Sequence, residues 1–313
     1  MKREQTSRAA LPATCGELVQ GTLDGVPCLV SCPIDTYSVA EIHLKTTPGW
    51  EVPCDAPKTG AALQAGLAYL GGGPGGGRLR LASQVPRGRG YGSSTADIGA
   101  TLYALGQALG QNLAPEQAAR LAVAVEPSDS SLFPGLALFD HRSGRFHESW
   151  GPAPPLAVLL IDPGGEVDTL AFNRIDHRKT LARLASQHRE AFNLLRQGLA
   201  GGDWGAVGEA ASLSARVHQA VLPNPLLEPA LALAREVRAL GLCRAHSGTL
   251  LGLLLDPLGA DLPAVTAFVA RRLANIASVK PYTLVNGGPR YGTARGRSYA
   301  VDGNPTALAM VTQ

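Results

Sequence analysis

From Arg78 to Leu109 the chain reads RLRLASQVPRGRGYGSSTADIGATLYALGQAL, and this run limits the fold more than any other. Arg78–Val85 alternates apolar and polar residues, the period of a half-buried strand. Ile98, Leu102, Leu105 and Leu109 recur at spacings of four, three and four, one face of a helix. Between them Pro86 opens a turn in which Gly88, Gly90 and Gly92 take alternate positions around Tyr91, and Ser93, Ser94 and Thr95 follow. Glycine loses more backbone freedom on folding than any other residue, so such a run needs a cause. A strand, a glycine turn and a helix start together make an anion site, because the first helical N–H groups point outward where the helix dipole is positive. Pro86 to Thr95 is therefore the candidate segment for the phosphates of ATP. A serine-capped turn without a ligand is the plain alternative, and the flanking strand and helix weigh against it.

Other nucleotide-binding patterns are missing. The sequence has no GxxxxGK[ST] and no DFG, and neither Asp140-His141-Arg142 nor Asp176-His177-Arg178 gives a protein-kinase catalytic loop. Charge excludes a nucleic-acid surface: Lys+Arg 28 against Asp+Glu 25 leaves +3, with no basic run interleaved with aromatics. Five cysteines without a CxxC fit neither a disulfide framework nor a zinc site, and read as buried reduced thiols. No apolar run approaches the ~18 residues of a membrane span. Met1–Ala10 is polar and basic, without the apolar stretch of a signal peptide. A cytoplasmic protein is expected, with no nucleic-acid or membrane partner; a homodimer stays open.

With 313 residues the chain is long enough for roughly two domains of ~150 each. Val26–Ile42 reads as two strands broken at Pro33, and Thr59–Leu70 as a helix. Asn112 is placed to cap a helix that ends at Glu126-Pro127. WGPAPP, from Trp150 to Pro155, is the candidate linker, and PLAVLLI then starts a second series of strands and helices. Helical patterns cover Leu170–Gly198, Trp204–Val221, Pro229–Leu240 and Pro263–Ile276, while Gly248–Leu255 suits a buried strand or a helix equally. The order argues for an α+β fold with domains at 1–154 and 155–313.

Pro86 through Ala96 resembles the second motif, PxxxGxGSSxA, of the GHMP kinases, small-molecule kinases acting on galactose, homoserine or mevalonate. Pro12–Gly21, PATCGELVQG, resembles their first motif, and Ala245–Leu255, AHSGTLLGLLL, their third. Within the superfamily, PATCGELVQG, LVSCPID, GSSTAD and AHSG are most similar to the L-threonine kinases of cobalamin synthesis. The resemblance implies an S5-like N-terminal domain, a ferredoxin-like C-terminal domain and ATP between them. It implies that Ser94 and Glu126 hold Mg2+ and that Asp129 is the candidate base for the acceptor hydroxyl. Asp129 sits closer after the glutamate than in related enzymes, and an Asx-type turn cap is its other role. Glu17 is placed to face an acceptor ammonium; His246 and Ser247, with Gly248 beside them, to reach its carboxylate. Relatives often carry Lys or Arg soon after the first-motif proline, where Ala13-Thr14-Cys15 stand here. Homoserine or an isoprenoid alcohol as acceptor, or a nucleotide-binding regulator without chemistry, are the alternatives to threonine.

Overall fold

The computed structural model describes residues 5–72, 75–83, 85–165, 177–273 and 276–292, with the backbone of 298–299. One sheet runs through both halves of the chain. Strands β1 (Thr6–Leu23) and β2 (Val26–Lys45) form a long antiparallel hairpin. It closes at Asp24-Gly25, both at positive φ (50° and 82°), as a two-residue hairpin turn requires. β3 (Gly49–Glu51) and β4 (Gly76–Ser83) extend this half beyond β2. Helices α1 (Pro57–Tyr69), α2 (Ser93–Ala108) and α3 (Pro115–Val125) join it in a core that includes Leu11, Ile42, Leu63 and Leu102.

After β5 (Ala137–Phe139) and β6 (His147–Ser149), the second half builds an antiparallel sheet in the order β10-β7-β9-β8. These strands are β7 (Ala157–Asp162), β8 (Gly241–Arg244), β9 (Leu251–Leu255) and β10 (Ser278–Thr283). The helices are α4 (Arg178–Arg183), α5 (Ala185–Gly201), α6 (Trp204–Val217), α7 (Leu227–Glu236) and α8 (Leu262–Arg272). Val158 and Leu160 pack with Phe192 and Val207 of α5 and α6, whereas Leu159 and Ile161 pack with Leu231 and Val269 of α7 and α8. Both faces of β7 are therefore covered, which is why its sequence is apolar throughout. The same holds for LGLLL, and Leu251–Leu255 is the buried strand of the two forms its pattern allowed. The α+β class is the one the element order predicts.

Three elements differ from their sequence patterns. Pro33 does not break β2; it lies opposite Thr14, beside a shift in register, where a missing N–H is tolerated. The cap of α3 is Ala114 rather than Asn112, because the Gln117 side chain accepts the Ala114 N–H 3.0 Å away. The long helical pattern from Leu170 divides at Leu184, and its first residues lie outside the described ones. Four cysteines are buried and unpaired as expected, but Cys54 is exposed.

The halves meet through a shared core in which Val30 and Leu138 pack with Val158, Leu195 and Leu254. In the sheet they join where Glu17 of β1 lies opposite Arg244 of β8 and where Arg290–Gly292 returns to pair with Arg8–Ala10 of β1, with bridges at Ile34–Leu284 and Gly135–Gly287. We retain 1–154 and 155–313 as the proposed division, with that core continuous across it.

Candidate active site

The N-cap of α2 is Gly92, in the left-handed region at φ 62°, and no side chain caps the helix. Ala96 is the first residue whose N–H bonds back, to Gly92 O, which leaves the Ser93, Ser94 and Thr95 amides without helical partners. The glycines before them have a second cause besides the anion. A Cβ on Gly90 would lie 2.2 Å from Ala245 Cβ, and one on Gly248 would lie 2.5 Å from Arg89 O. The turn is clamped on both sides: Thr14 and Gly16 donate to Tyr91 O and Gly90 O, and Thr249 donates to Arg89 O. Arg89 and the Tyr91 hydroxyl also reach Asp162 of β7, at 3.1 and 3.3 Å. Backbone-to-backbone packing between the halves therefore needs glycine at 90 and 248 before any ligand arrives.

A cleft of about 190 Å³ opens at the start of α2. It is lined by Gly88, Gly90 to Thr95, Glu126, Asp129, Glu17 and Ser247, whereas Pro86, His246 and Gly248 are not on its wall. α3 ends at Glu126, whose extended backbone (φ −165°) is the conformation a residue before proline favours. Its carboxylate accepts the Ser94 hydroxyl on one oxygen and Lys58 Nζ, 2.5 Å away, on the other. Asp129 begins the short turn Ser130–Leu132, and its side chain makes no capping bond there, so geometry does not support the turn-cap role. Its N–H donates to Thr95 Oγ1 at 3.0 Å. A Cβ on Gly92 would lie 2.4 Å from Asp129 Oδ2, so the carboxylate stands directly over the helix entrance. Burial, then the nearby Glu17 and Glu126 carboxylates, push Asp129 up to about 8.

Glu17 reaches the cleft because β1 bulges. Register shifts on either side of it, and Gly16, at φ 58° with Ala245 N only 2.3 Å from a would-be Cβ, turn the strand there. Burial raises Glu17 to about 8, opposed by the His246 N–H that its Oε2 accepts at 2.9 Å. The His246 ring lies behind it, with Nδ1 2.8 Å from the same oxygen and Nε2 3.4 Å from Ser214 Oγ. Burial and Arg244 lower the His246 pKa, so the neutral ring orients Glu17. That changes the expected role of His246: at 1% exposure it does not reach a ligand.

Comparison with known proteins closes the question of family. Residues 58–133 match the model of the GHMP kinase N-terminal domain. The chain is 33% identical to the L-threonine kinase of Salmonella typhimurium over 87% of its own length and 90% of that protein. The chain belongs to the GHMP kinases. The Citrobacter freundii L-threonine kinase is 34% identical over 79% of this chain and 86% of that one. The solved homoserine kinase of Cytophaga hutchinsonii shares the fold, with TM-score 0.74, 20% identity, and coverage of 93% of this chain and 99% of that one.

In this GHMP kinase the groups present suit a nucleotide with a hard divalent ion. Ser94 and Glu126, separate in sequence, already touch. Among the described residues no group of three or more His, Cys, Asp or Glu is placed to hold a metal. A hydroxyl and one carboxylate beside three free amides match Mg2+, which relies on substrate phosphates and water for its other ligands. Thr14 Oγ1, buried and without a hydrogen-bond partner among the described residues, lies 2.7 Å from where a Gly92 Cβ would be and is an unmet polar group at this entrance. The sequence patterns did not single out Lys58, His141 or Arg142, which also line the cleft. Arg142 comes from a triplet that fits no protein-kinase loop, and Lys58 follows an ordinary helix start; neither carries a local signal.

Proposed function

We propose that this chain is an ATP- and Mg2+-dependent L-threonine kinase, making O-phospho-L-threonine for cobalamin biosynthesis in the cytoplasm. The observation that carries the reading is Glu17 and Asp129 converging on one cleft at the start of α2, in a chain aligned with an L-threonine kinase over 87% of its length. Among the described residues no helix is long and apolar enough to cross a membrane.

Phosphoryl transfer asks the protein chiefly to position and to stabilise charge. The Ser93–Thr95 amides hold phosphate oxygens, and Ser94 and Glu126 hold Mg2+, which when bound neutralises phosphate charge. Glu17 pairs with the ammonium of threonine and turns its hydroxyl toward Asp129. As that oxygen bonds to the γ-phosphorus, Asp129 takes its proton and the bond to the β-phosphate oxygen breaks, with its electron pair leaving on ADP.

An ADP-release screen over threonine, serine, homoserine and mevalonate tests the acceptor. Threonine is expected to give the highest kcat/KM; preference for mevalonate would sink the amino-acid reading. Glu17→Gln is expected to raise KM for threonine far more than KM for ATP, since an arriving ammonium favours the ionised form of this raised carboxyl and an amide cannot ionise. Equal effects on both would detach Glu17 from the acceptor. Glu126→Ala removes a hard oxygen ligand, so half-maximal activity should need more Mg2+ and turnover should fall. An unchanged Mg2+ titration would remove Glu126 from the metal site.

A further inference from the structure

We infer that Arg142 binds the carboxylate of the amino-acid acceptor. The inference rests on the reading of the cleft as an amino-acid kinase site and names a specificity residue within it. The cleft holds three carboxylates, Glu17, Glu126 and Asp129, and only two strong cations, Lys58 and Arg142. His141, also on its wall, is held neutral because burial lowers it to about 4. Lys58 is engaged by Glu126 at 2.5 Å. The neighbouring arginines are committed as well. Arg87 faces Asp55 and Asp97 at 3.5 Å, and Arg89 faces Asp162 at 3.1 Å. Arg244, fully buried, donates to Gln219 Oε1 and Leu222 O. The Arg142 guanidinium has no carboxylate partner among the described residues.

Its backbone, by contrast, is fixed. The buried Asp140 carboxylate accepts the Arg142 N–H at 3.3 Å, the Ser143 N–H at 3.0 Å and the Ser143 hydroxyl. Ser128 N–H donates to His141 O at 3.1 Å, which ties this turn to the segment between Glu126 and Asp129. The turn thus presents a long exposed cation on the wall of the cleft that Asp129 also lines.

The ligand's charges decide which anion it meets. The nucleotide phosphates face the α2 amides, Ser94, and the Lys58–Glu126 pair. The acceptor ammonium faces Glu17. The acceptor carboxylate is then the one ligand charge without a counterpart, and of the two strong cations on the cleft wall Arg142 is the one without a carboxylate partner among the described residues. His246 cannot serve, being buried behind Glu17, and Ala13-Thr14-Cys15 of the first motif offer no cation. A guanidinium also matches a carboxylate with two parallel N–H donors, which an ammonium does not.

The test compares L-threonine with L-threoninamide, which keeps the hydroxyl and the ammonium but lacks the carboxylate. Arg142→Ala is expected to raise KM for threonine roughly 10–100-fold, the scale of a lost charge-assisted hydrogen bond. KM for ATP should stay within about twofold, a change too small to signal a lost contact. Threoninamide, already a weak substrate, should barely respond to the substitution, and Arg142→Lys should fall between wild type and Arg142→Ala. An unchanged KM for threonine overturns the inference, as does an equal loss on both acceptors, which would assign Arg142 to the phosphates. Absence of threonine turnover in the wild type would instead overturn the acceptor reading, and this inference with it. The side chain is exposed, so thermal melts of the variants should overlay the wild type.

Discussion

Asp129→Asn is expected to lower turnover by roughly 10²–10⁴-fold, the usual contribution of a positioned general base, while ATP and Mg2+ still bind. Asparagine keeps the shape but cannot take the hydroxyl proton. The wild-type carboxyl is held up to about 8 by burial and by Glu17 and Glu126, so it is largely protonated at neutral pH before ligands arrive. kcat/KM for threonine should therefore rise with pH through about 8, and the variant's residual activity should lose that rise in part, because Glu17 titrates in the same range. Stability gives an independent readout. Between its ordinary carboxylate range and about 8 the folded protein keeps a proton on Asp129 that the unfolded chain releases. Wild-type stability from this group is thus present at low pH and declines as pH rises through the window. The asparagine variant has no such decline, so its Tm should exceed that of the wild type by about 2 °C or more at the alkaline end and converge with it at the acidic end. A turnover loss of roughly tenfold or less, small for a base, would mean that the hydroxyl proton leaves by another route.

What could be read in the chain was local. The strand, glycine turn and helix between Arg78 and Leu109 each depend on neighbours in sequence, and Glu126 was marked by the helix end and Pro127. What could not be read depends on pairs far apart. Glu17 meets Arg244 and His246 only because β1 bulges at Gly16 and packs against the turn after β8. Nothing in PATCGELVQG or AHSG reports that contact, so a ligand role for His246 and its actual place behind Glu17 look alike in sequence. Arg142 is similar: its turn is organised by Asp140 locally, but its relation to Asp129 follows from the Ser128–His141 bond between two loops. Gly90 is a glycine because of Ala245, and Gly248 because of the Arg89–Gly90 backbone, constraints between positions in different halves of the chain. Pro33 misled for the opposite reason, since a local rule about proline yielded to a register shift set by the partner strand.

Gly92→Val is expected to weaken ATP binding by roughly 100-fold or more, equivalent to about 2.7 kcal/mol, in a protein that still folds. Three effects coincide at this position. The backbone is left-handed at φ 62°, which costs an L-residue about 1–2 kcal/mol and a β-branched one at least as much. The first side-chain carbon would lie 2.4 Å from Asp129 Oδ2 and 2.7 Å from Thr14 Oγ1, so one or both must move. Relieving either clash means shifting the helix entrance, and with it the Ser93, Ser94 and Thr95 amides that meet phosphate. The core contacts of α2, such as Ile98 and Leu102, begin more than a turn further on, so the helix itself should survive with a lowered Tm. Gly92→Ala separates the causes, because it adds the same close carbon without the branch. If backbone strain and the Asp129 clash dominate, alanine should lose most of the affinity that valine loses. If only bulk near the phosphates matters, alanine should bind ATP almost as the wild type does. Calorimetry with ATP and Mg2+ on both variants, beside circular dichroism to confirm folding, distinguishes these outcomes. Unchanged affinity in folded Gly92→Val would remove the phosphates from the start of α2 altogether.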